Sequence, residues 1–357
     1  MTYERDSIRR AQGYVPGRQR ATIEAKLNTN ENPYPPCPAV LEVLQRIDGN
    51  MLRRYPPPLA DGFRAAAAAV HGVAADNLIA VNGGDELLRL AVYTFVEPGA
   101  PIGTLEPSYS LYPVLAALHG SPIVAVDLDP DWDIPESTAS TWNAAGVRLA
   151  FVVDPHAPTG RLTPVEPLRR LAAEFRGVLV IDEAYVDFVD PELDHDAVAL
   201  VRERDNVLLL RTLSKGYSLA GLRFGYGIGH SELIAPMLTK TRDSYNVDAI
   251  AQALATAALE HRTEAARTWV AVRRDREALR RDLAALGLAA PPSQSNFLLT
   301  SVSAPGGAAT VAARLEQDRV LVRHFAAPRL EDKLRITVGT PAENARLLAA
   351  LARILGS

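Results

Sequence analysis

The amino-acid sequence predicts an α/β fold, in which a large domain with a mostly parallel sheet covered by helices is joined to a small C-terminal α/β domain. The chain has 357 residues, which exceeds the usual size of one domain. Up to about residue 245, short apolar runs alternate with helical patterns, as in parallel sheets that are buried on both faces. After that point a strongly helical region precedes a second, shorter series of strands.

An N-terminal arm is expected over residues 1–36, because its many Pro and Asn residues disfavour regular secondary structure. The large domain is expected over residues 37–245. Its clearest strands cover 149–153, 178–181 and 207–210. They are continuous in apolar residues, as buried parallel strands are. Pro164 and Gly177 mark the start and the end of a helix between the first two of these strands.

The small domain and its linking helix are expected over residues 246–357. Alternating Arg and acidic residues predict a long exposed helix over 263–286. The remaining elements follow as strand, helix, strand, strand and helix, over 296–300, 309–317, 320–323, 334–338 and from Pro341 onward. These elements are sufficient for a small α/β domain.

The charge balance and the cysteine content exclude several classes of function. Lys and Arg number 38 against 42 Asp and Glu, and the formal net charge of -4 provides no global field that would attract nucleic acid. The only cysteine, Cys37, rules out a disulfide framework and a cysteine-rich zinc site, and no bound metal is expected. The N-terminus lacks a signal-peptide pattern, and no apolar stretch is long enough to span a membrane. We therefore expect a cytoplasmic protein.

The segment from Leu210 to Arg223 carries the strongest chemical signal. Lys215 follows a predicted buried strand, so it is expected at the carboxyl edge of the sheet, where doubly wound folds bind ligands. Thr212, Ser214 and Arg223 are suited to hold a phosphate while the lysine amine attacks a carbonyl. The alternative is an ordinary surface lysine after a strand.

Asp182 ends another apolar strand and is followed by Glu, Ala and Tyr185. A carboxylate at such a strand end can keep a pyridine nitrogen protonated, so that the ring accepts electrons. Tyr185 is placed to hydrogen-bond a phenolic oxygen on the same ring. The alternative for Asp182 is a helix N-cap.

Two glycines open a predicted helix in the segment Asn82-Gly83-Gly84-Asp85-Glu86. Backbone N–H groups at a helix N-terminus bind anions, and glycine permits close approach, so the segment predicts a phosphate cradle. Tyr109 offers an aromatic plate for a flat heterocycle. An ordinary turn with capping acids, and a tyrosine in core packing, are the alternatives.

Taken in order, these motifs resemble the fold-type-I aminotransferases, which depend on pyridoxal 5′-phosphate, over nearly the whole chain. The order is phosphate cradle, tyrosine, Pro-Thr-Gly turn, Asp-Glu-Ala-Tyr, and Ser-Lys with a downstream Arg. The closest likeness is to histidinol-phosphate aminotransferases, because the arm Leu27–Tyr34 and the tail Leu334–Thr340 look like signatures of that family. The resemblance implies that histidinol phosphate and 2-oxoglutarate give imidazole acetol phosphate and glutamate, in histidine biosynthesis.

The resemblance also implies a role for each candidate residue. The expected catalytic residues are Lys215 as the Schiff-base lysine, Asp182 at the pyridine nitrogen, Tyr185 at the phenolic oxygen and Tyr109 stacked on the ring. The expected cofactor contacts add Gly84, Asp85, Glu86, Ser214 and Arg223, with Tyr55 reaching the cofactor phosphate of a neighbouring subunit in a homodimer. The expected substrate contacts are Tyr14, Asn30, Arg323 and Arg335, and the two arginines suit a phosphate or a carboxylate.

One position departs from the family pattern. Many relatives have Asn before the Pro-Thr-Gly turn, where it donates to the phenolic oxygen of the cofactor, but this chain has Ala157. Loss of one donor costs on the order of 1 kcal/mol. Tyr185 or His156 is expected to compensate for it.

Other readings of the sequence remain open. An aromatic amino-acid aminotransferase and a phospho-amino-acid decarboxylase resemble the same subfamily, and a catalytically silent protein that binds the cofactor belongs to a different class. The glycine-rich run 225–229 resembles a dinucleotide-binding loop but is better explained as a closely packed strand. Asp194-His195-Asp196 suggests a metal site, but an exposed polar loop is the better interpretation.

Overall fold

The computed structural model describes residues 3–19 and 22–356, and it contains two hydrophobic cores. The larger core surrounds a central sheet, and we call the part of the chain built on it the large lobe. The smaller core packs the C-terminal elements together with Ala25 and Leu27 of the N-terminal arm, and we call this part the small lobe. The exact domain boundaries stay a prediction.

The strands of the described residues are β1 (Ala25–Lys26), β2 (Leu78–Val81), β3 (Ile102–Glu106), β4 (Ile123–Asp127), β5 (Leu149–Val153), β6 (Val178–Asp182), β7 (Val207–Thr212), β8 (Gly225–Gly229), β9 (Phe297–Ser301), β10 (Val320–Leu321), β11 (Arg323–His324) and β12 (Lys333–Thr337). The central sheet has the order β2-β8-β7-β6-β5-β3-β4. Its strands pair in parallel, except that β8 is antiparallel to both β2 and β7. In the small lobe, β11-β12-β9 form an antiparallel sheet, and β1 pairs with β10 in parallel.

The helices of the described residues are α1 (Asp6–Arg10), α2 (Pro38–Gln45), α3 (Gly49–Leu52), α4 (Asp61–His71), α5 (Gly84–Phe95), α6 (Leu111–His119), α7 (Thr138–Ala144), α8 (Val165–Glu174), α9 (Val198–Glu203), α10 (Ser231–Pro236), α11 (Ala249–Glu260), α12 (Arg262–Ala285), α13 (Gly307–Gln317) and α14 (Pro341–Leu355). A capping box between Thr340 and Glu343 starts α14. Within the part of the chain that is described, no helix has both the length and the apolar character needed to cross a membrane.

The apolar runs in the sequence form the middle of the central sheet as β5, β6 and β7. Nearly all of their residues are buried, since both faces of the sheet are covered. Val153 pairs with Asp182 in the register of β5 and β6, and Asp182 pairs with Leu210 of β7. The carboxyl ends of the three strands therefore meet at one edge of the sheet.

Three predicted elements are corrected by the structure. The long helix is present as α12 but is not simply exposed, because Trp269 packs in the larger core and Leu279 in the smaller one. Its charged residues obscured an apolar stripe that connects the two lobes. The strand predicted over 320–323 is divided into β10 and β11, which belong to different sheets. The N-terminal arm contains α1 and β1, and β1 gains its hydrogen bonds from β10, which lies far away in the sequence.

Candidate active site

A cavity of about 450 Å³ lies at the carboxyl ends of the parallel strands, between the two lobes. Most of the predicted site residues line it: Tyr14, Asn30, Gly84, Asp85, Tyr109, Asp182, Tyr185, Ser214, Lys215, Arg223, Arg323 and Arg335. The N-terminal arm, the large lobe and the small lobe all contribute to this set. The fold thus brings together side chains that are widely separated in the sequence.

Lys215 lies in a turn three residues beyond β7. Its Nζ donates a 3.1 Å hydrogen bond to the carbonyl of Thr29. Burial lowers the pKa of Lys215 to about 8, and the charge of Arg335 acts in the same direction. More of its amine is therefore neutral near pH 7 than in an exposed lysine, as a nucleophile requires.

Asp182 ends β6 with its carboxylate turned into the cavity. The hydroxyl of Tyr112 donates to its Oδ2 at 3.0 Å, and the backbone N–H of Ala184 donates to its Oδ1 at 3.2 Å. Burial nevertheless raises the pKa of Asp182 to about 7, since these two donors only partly offset the loss of water. Such a carboxylate is suited to pair with a cationic N–H group in the cavity.

Tyr185 connects the large lobe to the N-terminal arm. The side-chain amide of Asn30 donates a 3.0 Å hydrogen bond to the Tyr185 oxygen, and the hydroxyl of Thr337 donates to Oδ1 of Asn30 at 3.0 Å. Asn30 adopts the left-handed conformation, with φ 55, which costs free energy and persists only where its surroundings hold it. The tyrosine hydroxyl is therefore held in a fixed position at the cavity wall.

An anion cradle is formed where β2 leads into α5. Gly83 has φ 78, and a Cβ at this position would lie 2.8 Å from Nη2 of Arg223. Nη1 of Arg223 donates to the hydroxyl of Ser214 at 3.4 Å, and its Nη2 lies 3.8 Å from Oδ2 of Asp85. The N-terminus of α5, a guanidinium group and a hydroxyl converge here, and this combination suits a phosphate.

Arg323 and Arg335 face each other across the pairing of β11 and β12. Both guanidinium groups lie 5.4 Å from the ring centroid of Phe325, and Arg335 also lies 5.2 Å from that of Phe297. Nη2 of Arg335 donates to the carbonyl of Asn28 at 3.2 Å. Two cations held against aromatic rings form an anion-binding end of the cavity, contributed by the small lobe.

Two predicted site residues lie outside the cavity. Glu86 is corrected by the structure: its buried carboxylate accepts hydrogen bonds from the backbone N–H of Asn82 and, at 3.1 Å, from the amide of Asn246. These hydrogen bonds stabilise the start of α5 on the side of the helix that faces away from the cavity. Tyr55 is 81% exposed and stacks on Tyr245 at 4.4 Å. Its contact was expected with a neighbouring subunit, so that role stays a prediction.

His156 does not take the place of the donor that is absent at Ala157. Burial lowers the pKa of His156 to about 4, so the ring is neutral near pH 7. Its Nε2 bonds the carbonyl of Pro107 at 2.8 Å and its Nδ1 bonds the hydroxyl of Thr159 at 2.7 Å. The histidine therefore ties the Pro-Thr-Gly turn to the loop that carries Tyr109, and the cavity wall at Ala157 offers only a methyl group.

The loop 194–196 is exposed at Asp194 and Asp196, as predicted, but the prediction is wrong for the side chain of His195. The side chain of His195 is only 2% exposed, and its Nε2 lies 3.6 Å from Oδ2 of Asp154 and 3.8 Å from Oε1 of Glu183. Glu183 also accepts a 2.7 Å hydrogen bond from Arg211. No group of three or more His, Cys, Asp or Glu side chains suited to a metal ion occurs among residues 3–19 and 22–356.

These features fit pyridoxal 5′-phosphate. A flat ring with a protonatable nitrogen matches the buried carboxylate of Asp182, whose pKa is raised by burial. A phosphate matches the cradle at Gly83, which a side chain at that position would fill. An aldehyde matches the amine of Lys215, which lies in the same cavity. The residues of this chain therefore suit all three reactive parts of the cofactor.

Comparison with known proteins identifies the family of the chain. Residues 22–351 match the family model described as aminotransferase class I and II, and the chain belongs to this family. Histidinol-phosphate aminotransferase 1 of Trichormus variabilis is 43% identical to it over 355 residues, covering 99% of both chains. Histidinol-phosphate aminotransferase 1 of Burkholderia pseudomallei is 40% identical over 363 residues, again covering 99% of both chains.

Solved structures show the same fold. Histidinol-phosphate aminotransferase of Sinorhizobium meliloti, in complex with pyridoxal-5′-phosphate, has a TM-score of 0.87 and 27% identity, and the match covers 94% of this chain and 92% of that one. A mutant of Thermus thermophilus aspartate aminotransferase has a TM-score of 0.81 and 25% identity over 99% of this chain and 100% of that one. The predicted fold class, enzyme class and cofactor are confirmed by these findings.

Proposed function

We propose that the chain is a transaminase that converts histidinol phosphate and 2-oxoglutarate to imidazole acetol phosphate and glutamate. The observation that carries the proposal is the meeting of Lys215, Asp182 and the pair Arg323 and Arg335 in one cavity. A lysine nucleophile and a buried carboxylate suit the cofactor, and two guanidinium groups suit an amino donor that ends in phosphate. Full-length relatives named histidinol-phosphate aminotransferase support the same substrate.

When bound, pyridoxal phosphate supplies a carbon that reacts with amines and a ring that withdraws electrons from the carbon that loses its proton. In the proposed mechanism Lys215 provides the amine that attaches the cofactor covalently. Asp182 keeps a proton on the ring nitrogen, because its buried carboxylate gains a cationic partner there. Tyr185 hydrogen-bonds the phenolic oxygen from the position in which Asn30 holds it.

The cofactor phosphate is assigned to the cradle at the start of α5. Gly84 offers a backbone N–H at the positive end of the helix, and Arg223 and Ser214 add a guanidinium and a hydroxyl. Asp85 orients Arg223 from the other side. Tyr109 lies across the cavity, where its ring can stack on the pyridine.

With the cofactor bound, the amine of Lys215 would be the general base that takes the proton from the donor's α carbon, and the acid that delivers it to the cofactor's reactive carbon, not back to the donor. A pKa of about 8 suits both roles near neutral pH. Arg323 and Arg335 bind the phosphate of the donor, and then the distal carboxylate of the keto acid. Tyr14 and Asn30 complete the substrate side of the cavity from the N-terminal arm.

We also infer a homodimer in the cytoplasm. Tyr55, Leu52 and Leu44 are exposed apolar side chains on and after the neighbouring helices α2 and α3. A second copy of the chain would cover them, as exposed apolar patches usually mark an interface. The single cysteine, Cys37, is a buried free thiol suited to a reducing compartment. Light scattering that finds only monomers of the holoenzyme would remove the dimer from the proposal.

The function is tested with purified holoenzyme and a panel of donors: histidinol phosphate, histidinol, aromatic amino acids and phosphothreonine. We expect histidinol phosphate to form glutamate from 2-oxoglutarate with the highest kcat/KM, and histidinol to be much poorer because it lacks the anionic end. Release of carbon dioxide from phosphothreonine, or a preference for an aromatic amino acid, would replace the proposed reaction. No change in cofactor absorbance with any donor would indicate a silent protein.

The attachment site is tested separately by borohydride reduction of the holoenzyme and peptide mapping. The label is expected on Lys215, and a label on another lysine would overturn the assignment. For the substrate end, Arg323→Ala should raise KM for histidinol phosphate more than for histidinol. An equal effect on both donors would show that Arg323 does not bind the phosphate.

A further inference from the structure

Arg329 of the small lobe binds a loop of the large lobe. It lies in the loop 325–332 between β11 and β12. Its Nη1 donates to the carbonyl of Leu128 and its Nη2 to that of Asp129, both at 2.6 Å. Its guanidinium also lies 4.0 Å from the ring centroid of Trp132. One side chain thus combines two charge-assisted hydrogen bonds with a cation–π contact.

The receiving loop, 128–133, is held in shape by its own hydrogen bonds. Oδ1 of Asp129 accepts the backbone N–H of Asp131 at 2.9 Å and that of Asp133 at 2.8 Å. Nε and Nη2 of Arg161 bind the two carboxylate oxygens of Asp133 at 2.7 and 2.6 Å. Arg161 directly follows the Pro-Thr-Gly turn. The loop is therefore a preformed socket, anchored to the wall of the cavity.

Both partners of this contact have strained backbones. Trp132 has φ 67 and Arg329 has φ 66, in the left-handed region that residues other than glycine rarely adopt. Such conformations persist where the surrounding contacts hold them, and they cluster at ligand clamps and switch regions. The strain lies on each side of the interlobe contact.

The loop that carries Arg329 also forms part of the cavity. Phe325 and Leu330 of this loop line the cavity wall, and the strands at its two ends carry Arg323 and Arg335. On the opposite side, the backbone N–H of Leu128 donates to the carbonyl of Glu106, at the end of β3, at 2.9 Å. The contact therefore links the anion-binding end of the cavity to the sheet whose strand ends hold the reactive groups.

We propose that Arg329 is a positioning residue. By binding the 128–133 socket it fixes the distance between the Arg323 and Arg335 pair and the carboxyl ends of the parallel strands. This distance selects substrates whose anionic group lies at the right reach from the reacting carbon. The proposal rests on the proposed function, in which the arginine pair binds the anionic end of both substrates. Arg329 itself touches neither the reacting atoms nor the cofactor.

The test compares Arg329→Gln with Arg329→Lys in the holoenzyme. Gln removes the charge and the stacking, whereas Lys keeps the charge but loses the planar fork. We expect Arg329→Gln to raise KM for histidinol phosphate and for 2-oxoglutarate by about tenfold, with kcat changed by less than about threefold, because binding to the arginine pair is shared by ground and transition states. Arg329→Lys should lie between Gln and the wild type.

Arg319→Gln is the matched control. Arg319 belongs to the same lobe and has a similar backbone, φ 61, but its partner is the carboxylate of Glu24, 3.3 Å away, and it does not line the cavity. Its substitution should leave both KM values unchanged. A rise in KM as large as that of Arg329→Gln would assign the effect to general loosening of the lobe, and would overturn the proposal.

Hydrogen exchange of the holoenzyme supplies a readout that needs no substrate. In Arg329→Gln, backbone amides in 325–332 and 128–133 should exchange at least about tenfold faster while β5, β6 and β7 stay protected. Unchanged exchange in both loops, or unchanged KM values, would overturn the proposal. If Arg329→Gln does not fold, Trp132→Leu is measured in the same way and decides the question.

The role of Arg329 and the identity of the amino donor are tested by different measurements. If the wild-type enzyme does not accept histidinol phosphate, the proposed donor is wrong. KM for 2-oxoglutarate with whichever donor is active, together with the exchange rates, then still decides the role of Arg329.

Discussion

The hydroxyl of Tyr112 donates a 3.0 Å hydrogen bond to Oδ2 of Asp182. Tyr112 is fully buried in α6 and stacks on Phe151 of β5 at 4.6 Å, so its hydroxyl has no solvent partner. Hydrogen bonding to the ionised form of a carboxylate favours that form. Tyr112 therefore opposes the effect of burial, which raises the pKa of Asp182, and favours the ionised carboxylate that the proposed pairing with a ring nitrogen requires.

Removal of this hydroxyl should weaken cofactor binding and catalysis. Tyr112→Phe retains the stacking on Phe151 but leaves Asp182 with one donor fewer, and the expected loss in kcat is about tenfold. The acid limb of the kcat profile should move to higher pH, because the pKa of Asp182 rises when the donor is lost. Tyr93→Phe on exposed α5 surface is the control and should match the wild type. An unshifted acid limb in Tyr112→Phe would contradict this role.

Gly83 is the best position at which to test the phosphate cradle. Gly83→Ala would place a methyl carbon 2.8 Å from Nη2 of Arg223, within the space assigned to the phosphate. We expect at least about tenfold weaker cofactor binding, measured as the Kd of apoenzyme for pyridoxal phosphate. Gly99→Ala is matched in backbone strain, with φ 86 against 78, but a Cβ there meets nothing within 4 Å. Equal losses of cofactor affinity in the two variants would show that strain, not the cradle, is responsible.

The lowered pKa of Lys215 predicts how fast apoenzyme takes up the cofactor. Only the neutral amine attacks an aldehyde, and burial lowers the pKa of this amine to about 8. The rate should therefore rise tenfold per pH unit below about pH 8 and level off above it. In Arg335→Gln the pKa of Lys215 should rise, because a nearby positive charge is removed. The midpoint of the pH dependence of the uptake rate should then move to higher pH. Stopped-flow absorbance measures the rate, and a midpoint near 10 in the wild type would contradict the expected shift.

Sequence patterns were sufficient to predict the cavity residues that follow the carboxyl ends of strands. Asp182, Lys215 and Gly84 each follow a continuous apolar run, and the carboxyl ends of parallel strands converge by the geometry of the sheet. The resemblance to a family added Tyr14, Asn30 and both arginines. Their contacts arise from the packing of the arm and the small lobe, which local patterns do not encode.

The contacts that the sequence did not predict join residues far apart in the sequence, or depend on which face of a helix a residue occupies. Arg329 lies 201 positions from Leu128, whose carbonyl it binds, so that no local pattern indicates the contact. Tyr112 is only three residues beyond Tyr109, but its contact with Asp182 depends on which face of α6 meets the sheet. Glu86 was expected to contact the cofactor together with Asp85, but its position on the helix turns it the opposite way, toward Asn246.

His195 is buried on the face of the central sheet opposite to the cavity. Val153 and Asp182 line the cavity, so the next residues, Asp154 and Glu183, point to the other face, where they meet His195. Burial lowers the pKa of His195, but Glu183 and Asp154 outweigh it, and the pKa is raised above its usual value. The buried ring of His195 and these two carboxylates form a structural cluster directly behind the strand ends that line the cavity.

His195→Gln should destabilise the fold by about 3 kcal/mol, because it leaves the buried carboxylate of Asp154 without its cationic partner, whereas Glu183 keeps Arg211. Since the pKa of His195 is raised on folding, its stabilising effect is fully present below about pH 6.5 and is lost as pH rises through the folded pKa. The difference in Tm between wild type and variant should thus be widest below about pH 6.5 and should narrow as the pH rises above that value. His261→Gln is the control, since His261 forms an exposed pair with Glu264 at 3.2 Å, and such pairs contribute little. A Tm difference that is constant from about pH 6 to about pH 9 would show that His195 stabilises the fold by packing, not by charge.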